Sequence, residues 1–444
     1  MTRTHRAALA GLLLLYFVLA AGYALRVPAW LAPDEPAHYH YIAQVAGNGC
    51  CPVIEPGDWD QAYLSALTGS DFAPEMLDRF ETIQYEDHQP PLYYLLAAPV
   101  YLLTDGSLIA LRLFTALLGV GVVLAAYAVG RELLPDRPWI ALGLAALVAF
   151  VPQHLHILAS VNNDALAELI VGWTLWATLR TVKTGSPNPW LLGILVGLGL
   201  LTKASTLFLA GVVPLWLALA VWRKRGLAGV VVTLALFAVP ALLLGGVWWM
   251  RNFGVYGFPD LFGLRAHDAV VVGQPRTADL IARVGMGEYL RQLSTTTFHS
   301  FWGQFGWMEL ALPSWAYGLI AAFLAVAALG GIVALARRLR ERAALSRESA
   351  LGWGLMGAAF ALALAQFAYY NTSFQQFQGR YLYTGLIPFA LFVTVGLDAL
   401  RGWVAGRLRG SEDAIGWLTP LLICWLVPLN LFLLWRVVPG LVGG

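Results

Sequence analysis

Charge is what this sequence has least of. Asp, Glu, Lys and Arg make up only 12% of its 444 residues, against 59% hydrophobic, where a soluble domain keeps roughly a quarter of its residues charged. That shortage excludes a water-soluble enzyme and a disordered chain. Neither sign dominates, with 28 Lys+Arg against 26 Asp+Glu. A nucleic-acid binder needs a basic surface to offset phosphates, so that class is excluded as well. Cysteine is also scarce. Cys50, Cys51 and Cys424 are too few for a disulfide framework, and their spacing matches no metal-ligand pattern. Cys50 and Cys51 are expected to be small loop residues. No repeat recurs at a fixed period, which weighs against an inverted-repeat transporter.

Long apolar runs are what remain. A bilayer core about 30 Å thick takes roughly 20 apolar residues per helix, whereas a closed barrel shows alternation. The first run, 7–25 (AALAGLLLLYFVLAAGYAL), follows Arg3, His5 and Arg6 and lacks a signal-peptide cleavage site, so it reads as an anchor. Further spans are expected near 107–131, 138–158, 163–182, 189–202, 204–222, 227–250, 312–336, 350–370, 381–400 and 416–436. The expected architecture is therefore an all-α polytopic membrane protein of about eleven transmembrane helices in one domain over 1–444.

Lys and Arg in short loops set orientation. With the N-terminus in the cytoplasm, the inner loops hold Arg131, Arg137, Arg180, Lys183, Arg223, Lys224 and Arg225. The later ones hold Arg337, Arg338, Arg340, Arg342, Arg347, Arg401, Arg407 and Arg409. All fall on one side only if the chain turns at Lys203 on the outer face. The outer segments differ in kind. Residues 27–91 carry eleven acids and one base, Arg79, and form a stretch too long for a mere connection. Residues 251–311 contain Arg251, Arg265, Arg276, Arg283 and Arg291 and the aromatic run FHSFWGQFGWM. A basic segment is thus expected to face an acidic one.

The chemistry-bearing residues crowd this outer side. In PAWLAPDEPAHYHYIAQVA, Asp34 and Glu35 lie between Pro33 and Pro36. The local expectation is a helix N-cap at Asp34 and a short surface helix bearing His38. At the far end of the same segment, YEDHQPPLYYLL sets Glu86, Asp87 and His88 before a second Pro-started helix. Such carboxylates suit a general base, with Asp34 the first candidate. Oxygen and imidazole ligands also suit a divalent metal, although no spaced motif specifies one. Asn162, Asn163 and Asp164 read as a helix cap, and Glu168 one turn on is expected to face the bundle interior. His154 and His156, two apart, face different sides, which argues against a shared metal site. Lys203, Arg251 and Arg380, with Gln378 beside the last, lie at the outer ends of apolar runs. A cation there is a functional hypothesis by default, with snorkelling as the alternative, and three on one side suit an anionic lipid phosphate.

These residues together resemble the multi-span GT-C glycosyltransferases, in the family 39-like branch that holds protein O-mannosyltransferases and lipid A aminoarabinose transferases. The resemblance rests on DEPAHYHY, YEDHQPPLYY, SVNNDALA, the Thr202–Lys203 pair, WWMRNFGVYGFP, FWGQFGW and QGRYLY. It implies a GT-C bundle with juxtamembrane helices, a polyprenyl-phosphate sugar donor, an acceptor from the outer face and inversion at the anomeric carbon. By the resemblance Asp34 matches the catalytic or acceptor-positioning aspartate and Glu35 its partner, while His88 and Gln89 depart from the Glu-Lys of the aminoarabinose branch. Lys203, Arg251 and Arg380 become donor-phosphate contacts. The competing readings are a lipid-linked glycan flippase or transporter, whose ionisable residues belong at mid-bilayer depth, and a non-catalytic membrane scaffold.

Overall fold

The structure is a computed structural model that describes residues 2–341, 345–405 and 415–441. Arg342, Arg407 and Arg409 lie outside the described residues. Helix α1 (Arg3–Arg26) is about 36 Å long at 1.5 Å per residue and is capped by the Thr2 side chain, which accepts from the His5 N–H. The first polar segment holds α2 (Glu35–Asn48), α3 (Gln61–Gly69) and a 3-10 turn, Pro74–Thr82. Helix α4 (Leu92–Leu103) follows Pro90 and Pro91 and packs on α2 through Tyr41 and Tyr94, whose rings stack 3.6 Å apart.

Helix α5 (Leu108–Leu133) crosses back, and α6 (Pro138–Phe150) with α7 (Pro152–Leu158) forms one span bent by 69°, where Pro152 has no N–H to continue the ladder. Next come α8 (Asp164–Thr184), α9 (Pro189–Leu200), a 3-10 turn (Ala204–Phe208) and α10 (Leu209–Tyr256). The second polar segment carries α11 (Leu264–Val270), α12 (Thr277–Val284), α13 (Met286–Trp302) and the hairpin β1 (Gln304–Phe305) with β2 (Leu310–Ala311). Helices α14 (Ser314–Arg340), α15 (Arg347–Tyr370) and α16 (Leu386–Ala405), the last entered through a 3-10 turn (Gly379–Gly385), precede α17 (Leu418–Leu421) and α18 (Leu426–Phe432) in the final apolar run.

Among the described residues seven helices are long and apolar enough to cross a membrane, or eight counting α6–α7. That count treats the run through α10 as one, yet 48 residues reach about 72 Å, more than twice a bilayer core. Gly226, at φ 60 and ψ −166, breaks α10 beside Arg223, Lys224 and Arg225, so it divides into the two expected spans. Helix α8 has the length but carries Asp164, Glu168, Arg180 and Lys183. Helix α9 (Pro189–Leu200) lies within the expected 189–202. Its 12 residues cover only about 18 Å, so it is a half-length helix that stops at Lys203, where the backbone is extended (φ −161, ψ 140).

Between membrane helices, small residues permit close packing. A Cβ on Gly193 would meet the Phe237 carbonyl oxygen and, at 2.6 Å, Pro240. One on Gly197 would lie 2.7 Å from Leu244, and one on Gly245 2.7 Å from Leu200. These contacts advance together along both chains, so α9 and the second half of α10 run parallel. Gly330 of α14 and Gly396 of α16 make a similar close crossing.

One expectation is corrected here. Residues 251–311 are not basic: Asp260, Asp268, Asp279, Glu288 and Glu309 equal the arginines in number, and Arg291 pairs with Glu288 at 2.6 Å on its own helix. The two polar segments are joined instead by hydrogen bonds from the Trp59 indole to the Val272 carbonyl at 2.9 Å and from the Ile54 N–H to the Tyr256 hydroxyl at 3.2 Å. Cys50 and Cys51 lie in the loop after α2, as expected, and are bonded to one another.

Candidate active site

Asp34 occupies the N-cap position of α2, but its side chain makes no capping bond. It sits at φ 64, ψ −1, in the left-handed region that a non-glycine residue occupies at a cost and that clusters at functional sites. The turn swings the carboxylate away from α2. It accepts from the guanidinium of Arg380, from the 3-10 turn before α16, and from the Tyr85 hydroxyl at 2.8 Å. Burial works to raise the Asp34 carboxyl, yet the Arg380 charge and these hydrogen bonds outweigh it and hold the group at about 2. Arg380 is itself 6% exposed, and its Nε has no hydrogen-bond partner among the described residues.

Glu35, the neighbour in sequence, faces elsewhere. It is fully buried and receives Arg112 Nε at 2.8 Å and Nη2 at 2.5 Å, with the Val161 N–H at 3.1 Å and the Trp30 N–H at 3.2 Å. Arg112 also donates to the carbonyls of Ala24, Val27 and Pro28. This bidentate clamp ties the end of α1, the start of α2 and the α7–α8 turn to α5, and leaves Glu35 no free face for a substrate.

A second ion pair lies beside the first. Lys203 donates to Asp164 at 2.5 Å. The cap that sequence placed on this turn comes from Asn162, whose Oδ1 accepts the Asp164 N–H at 2.9 Å. Asn163 donates through Nδ2 to the Thr202 carbonyl and the Gln89 side chain, both at 3.3 Å, and its Oδ1 is buried without a partner among the described residues. His38 meets the Tyr94 hydroxyl at 2.9 Å. Burial lowers its pKa, only partly opposed by Glu86 and Asp34, so its imidazole is neutral near pH 7. Glu86 feels the same histidine and has one buried carboxylate oxygen unpartnered among the described residues.

Asp87 and His88 stand at the rim. Asp87 accepts from Gln44 at 2.7 Å, and burial pushes its carboxyl up to about 8. His88 packs its ring 4.4 Å from that of His267 in the second polar segment, and burial with this neighbour holds it well below the usual histidine range. Arg251 is spent on architecture: it donates to the carbonyls of Cys51 and Pro52 and to Tyr256 at 3.3 Å and stacks on Trp248. Gln378 is half-buried at the N-cap of the 3-10 turn that presents Arg380. No three His, Cys, Asp or Glu side chains among the described residues converge as metal ligands, and Asp34 is already engaged, so the residues present do not form a divalent-metal set.

Sequence reasoning missed Arg112 and Tyr85. The signal for Arg112 was its place inside the apolar run LIALRLFTALL, where a lone guanidinium demands partners. Tyr85 carried no separate signal. Glu168 does face the interior, where it meets His154 Nε2 at 2.7 Å.

Residues 88–249 match the family model described as dolichyl-phosphate-mannose-protein mannosyltransferase. No match is found among curated proteins. Among solved structures the chain is similar to ArnT from Cupriavidus metallidurans bound to undecaprenyl phosphate, with 16% identity over 98% of this chain and 73% of that one and a TM-score of 0.50. It also matches the archaeal oligosaccharyltransferase AglB from Archaeoglobus fulgidus, solved with an inhibitory peptide and a dolichol-phosphate, with 12% identity over 99% of this chain and 56% of that one and a TM-score of 0.49. The chain is a polytopic membrane protein with the GT-C type of fold seen in ArnT, and residues 88–249 are similar to the mannosyltransferase family.

Proposed function

We propose that this protein transfers a sugar, hexosyl or pentosyl, from a polyprenyl-phosphate donor to an acceptor hydroxyl or amine on the outer face, with inversion and with Asp34 as the base. The observation that carries this reading is the Asp34–Arg380 pair: a carboxylate held in a left-handed turn against a buried guanidinium that still has a donor to spare. In an inverting displacement the acceptor oxygen or nitrogen attacks the anomeric carbon, the bond to phosphate breaks with its electron pair, and the acceptor's proton goes to a base. Negative charge grows on the departing phosphate, where preorganised cations stabilise it. Arg380 and Lys203 are the cations, and their partners Asp34 and Asp164 hold them in place before a donor arrives. A phosphate taking Arg380 releases Asp34 from the charge that depresses its basicity, so donor binding readies the base. Glu35, through Arg112, positions the turn that carries Asp34. Support for the donor class comes from the matched family, named for a dolichyl-phosphate-linked sugar, and from the undecaprenyl phosphate in the ArnT structure.

The test is transfer of labelled sugar from a panel of polyprenyl-phosphate sugars by the purified protein and by Asp34→Asn, each with and without chelator. Transfer by the wild type that vanishes in the variant, while donor binding persists, is the expected result. Undiminished transfer by Asp34→Asn removes Asp34 as the base, and no transfer from any donor shifts the weight to the flippase reading.

A further inference from the structure

A cavity of about 340 Å³ opens at the other end of α8, between its last turns and the start of α9. Along α8 it lies about 24 Å from Asp164, counting 16 residues to Arg180 at 1.5 Å each. Its floor is the Trp176 ring, with the Arg180 guanidinium 5.5 Å away. Thr184, Ser186 and Asn188 add polar groups to the lining, and Leu191 an apolar one. A second cation sits over the turn: the Lys224 ammonium occupies the space where a Cβ on Gly185 would go. The nearest carboxylate is Glu132, 4.0 Å from Arg180, and the Lys183 ammonium is given to the carbonyls of Glu132 and Leu133. The Arg180 side chain remains 59% exposed. From the mouth, exposed Trp190, Leu191 and Ile194 continue the apolar surface up α9.

We propose that this cavity binds the head group of an anionic phospholipid. A charged, hydroxyl-lined pocket that continues into an apolar helix face matches an amphiphile, and basic pockets between transmembrane helices on the cytoplasmic side take anionic lipid heads. The Lys/Arg-rich end of the bundle is where α8 and α9 meet, so the bound lipid belongs to the cytoplasmic leaflet. Arg180 offers the phosphate a planar fork, Lys224 a point charge, and α9 a wall for the first acyl carbons. The half-length of α9 gives such a lipid structural meaning, because the bound head would brace the end of the helix that carries Lys203 at its tip. The site is separate from the Asp34 cluster and stands whether or not the transfer reaction does.

The experiment is native mass spectrometry of the purified full-length protein titrated with phosphatidylglycerol, with phosphatidylcholine and with soluble glycerol phosphate. One saturable phosphatidylglycerol adduct is expected, with phosphatidylcholine and glycerol phosphate binding far more weakly. Removing a cation near a membrane surface weakens anionic-lipid binding about fivefold, so the pair Arg180→Gln and Lys224→Gln should weaken it ~25-fold. Leu191→Trp, which fills the cavity and keeps both charges, should abolish the same adduct. All three positions are exposed, and unchanged melting of the variants confirms that they fold. Equal binding of phosphatidylcholine, glycerol phosphate as strong as the lipid, or an adduct retained in both variants each overturns the proposal.

Discussion

At the residue scale, two adjacent carboxylates have been given opposite work. Asp34 meets one guanidinium at a site edge, while Glu35 is sealed beneath it against Arg112. Removing one partner of a buried, paired charge costs about 3–5 kcal/mol, so Glu35→Gln should lower the melting temperature markedly, whereas Asp34→Asn, at a carboxylate 21% exposed, should lower it less and remove transfer. A thermal melt of both in the same detergent checks this. The pH response of the rim is set by Asp87, whose folded pKa of about 8 lies above its ordinary value of 3.8. Between about pH 4 and 8 the folded state keeps a proton that the unfolded chain has released, so stability falls as pH rises through that window and levels off above it. Melting curves at pH 5 and pH 8 should show this decline, and Asp87→Asn should flatten it. For Asp34 the sign is reversed. Its depressed pKa contributes stability above about pH 4 that fades as pH falls toward 2.

The placement of helices was readable in advance wherever apolar length and arginine position agree, as at α1, α5, α14 and α15. The division of α10 at Gly226 was readable from Arg223, Lys224 and Arg225, because a cluster of charge has to leave the hydrocarbon. The short span of α9 was readable from Lys203, the cation that bounds the apolar run PWLLGILVGLGL, whereas its packing on α10 was not. The site was readable to the extent that charged side chains at apolar ends announce themselves, as Lys203 and Arg380 do. Their partners were not, because pairing Asp34 with Arg380 is a fact of three-dimensional crossing that no local pattern holds. The same packing yields a prediction for this element. Gly193→Leu drives a side chain into the Phe237 carbonyl and Pro240; overpacking costs about 1–3 kcal/mol and tilts α9, moving Lys203 from Asp164. Donor affinity should drop with Asp34 untouched, as measured by binding of a labelled polyprenyl phosphate.

For the molecule as a whole, the two long polar segments and the Lys/Arg-rich short loops occupy opposite ends of the bundle, and the expected orientation assigns the first to the outer face. Single cysteines introduced at Glu75 and at Arg338 in a chain lacking its own three should test it: an impermeant maleimide added to intact cells should label the first and spare the second. The reverse pattern inverts the topology and moves the chemistry to the cytoplasm.

Timing during synthesis follows from the span of that one ion pair. Asp34 and Arg380 are separated by 346 residues, so at roughly 5–20 residues per second the ribosome needs about 20–70 s after making the first to deliver the second. Late in that interval the growing chain already holds Asp34 and Lys203, but lacks the guanidinium that pairs with Asp34. On the proposed reading, a nascent or prematurely terminated chain ending before Gly379 should therefore be inactive however many helices it has inserted.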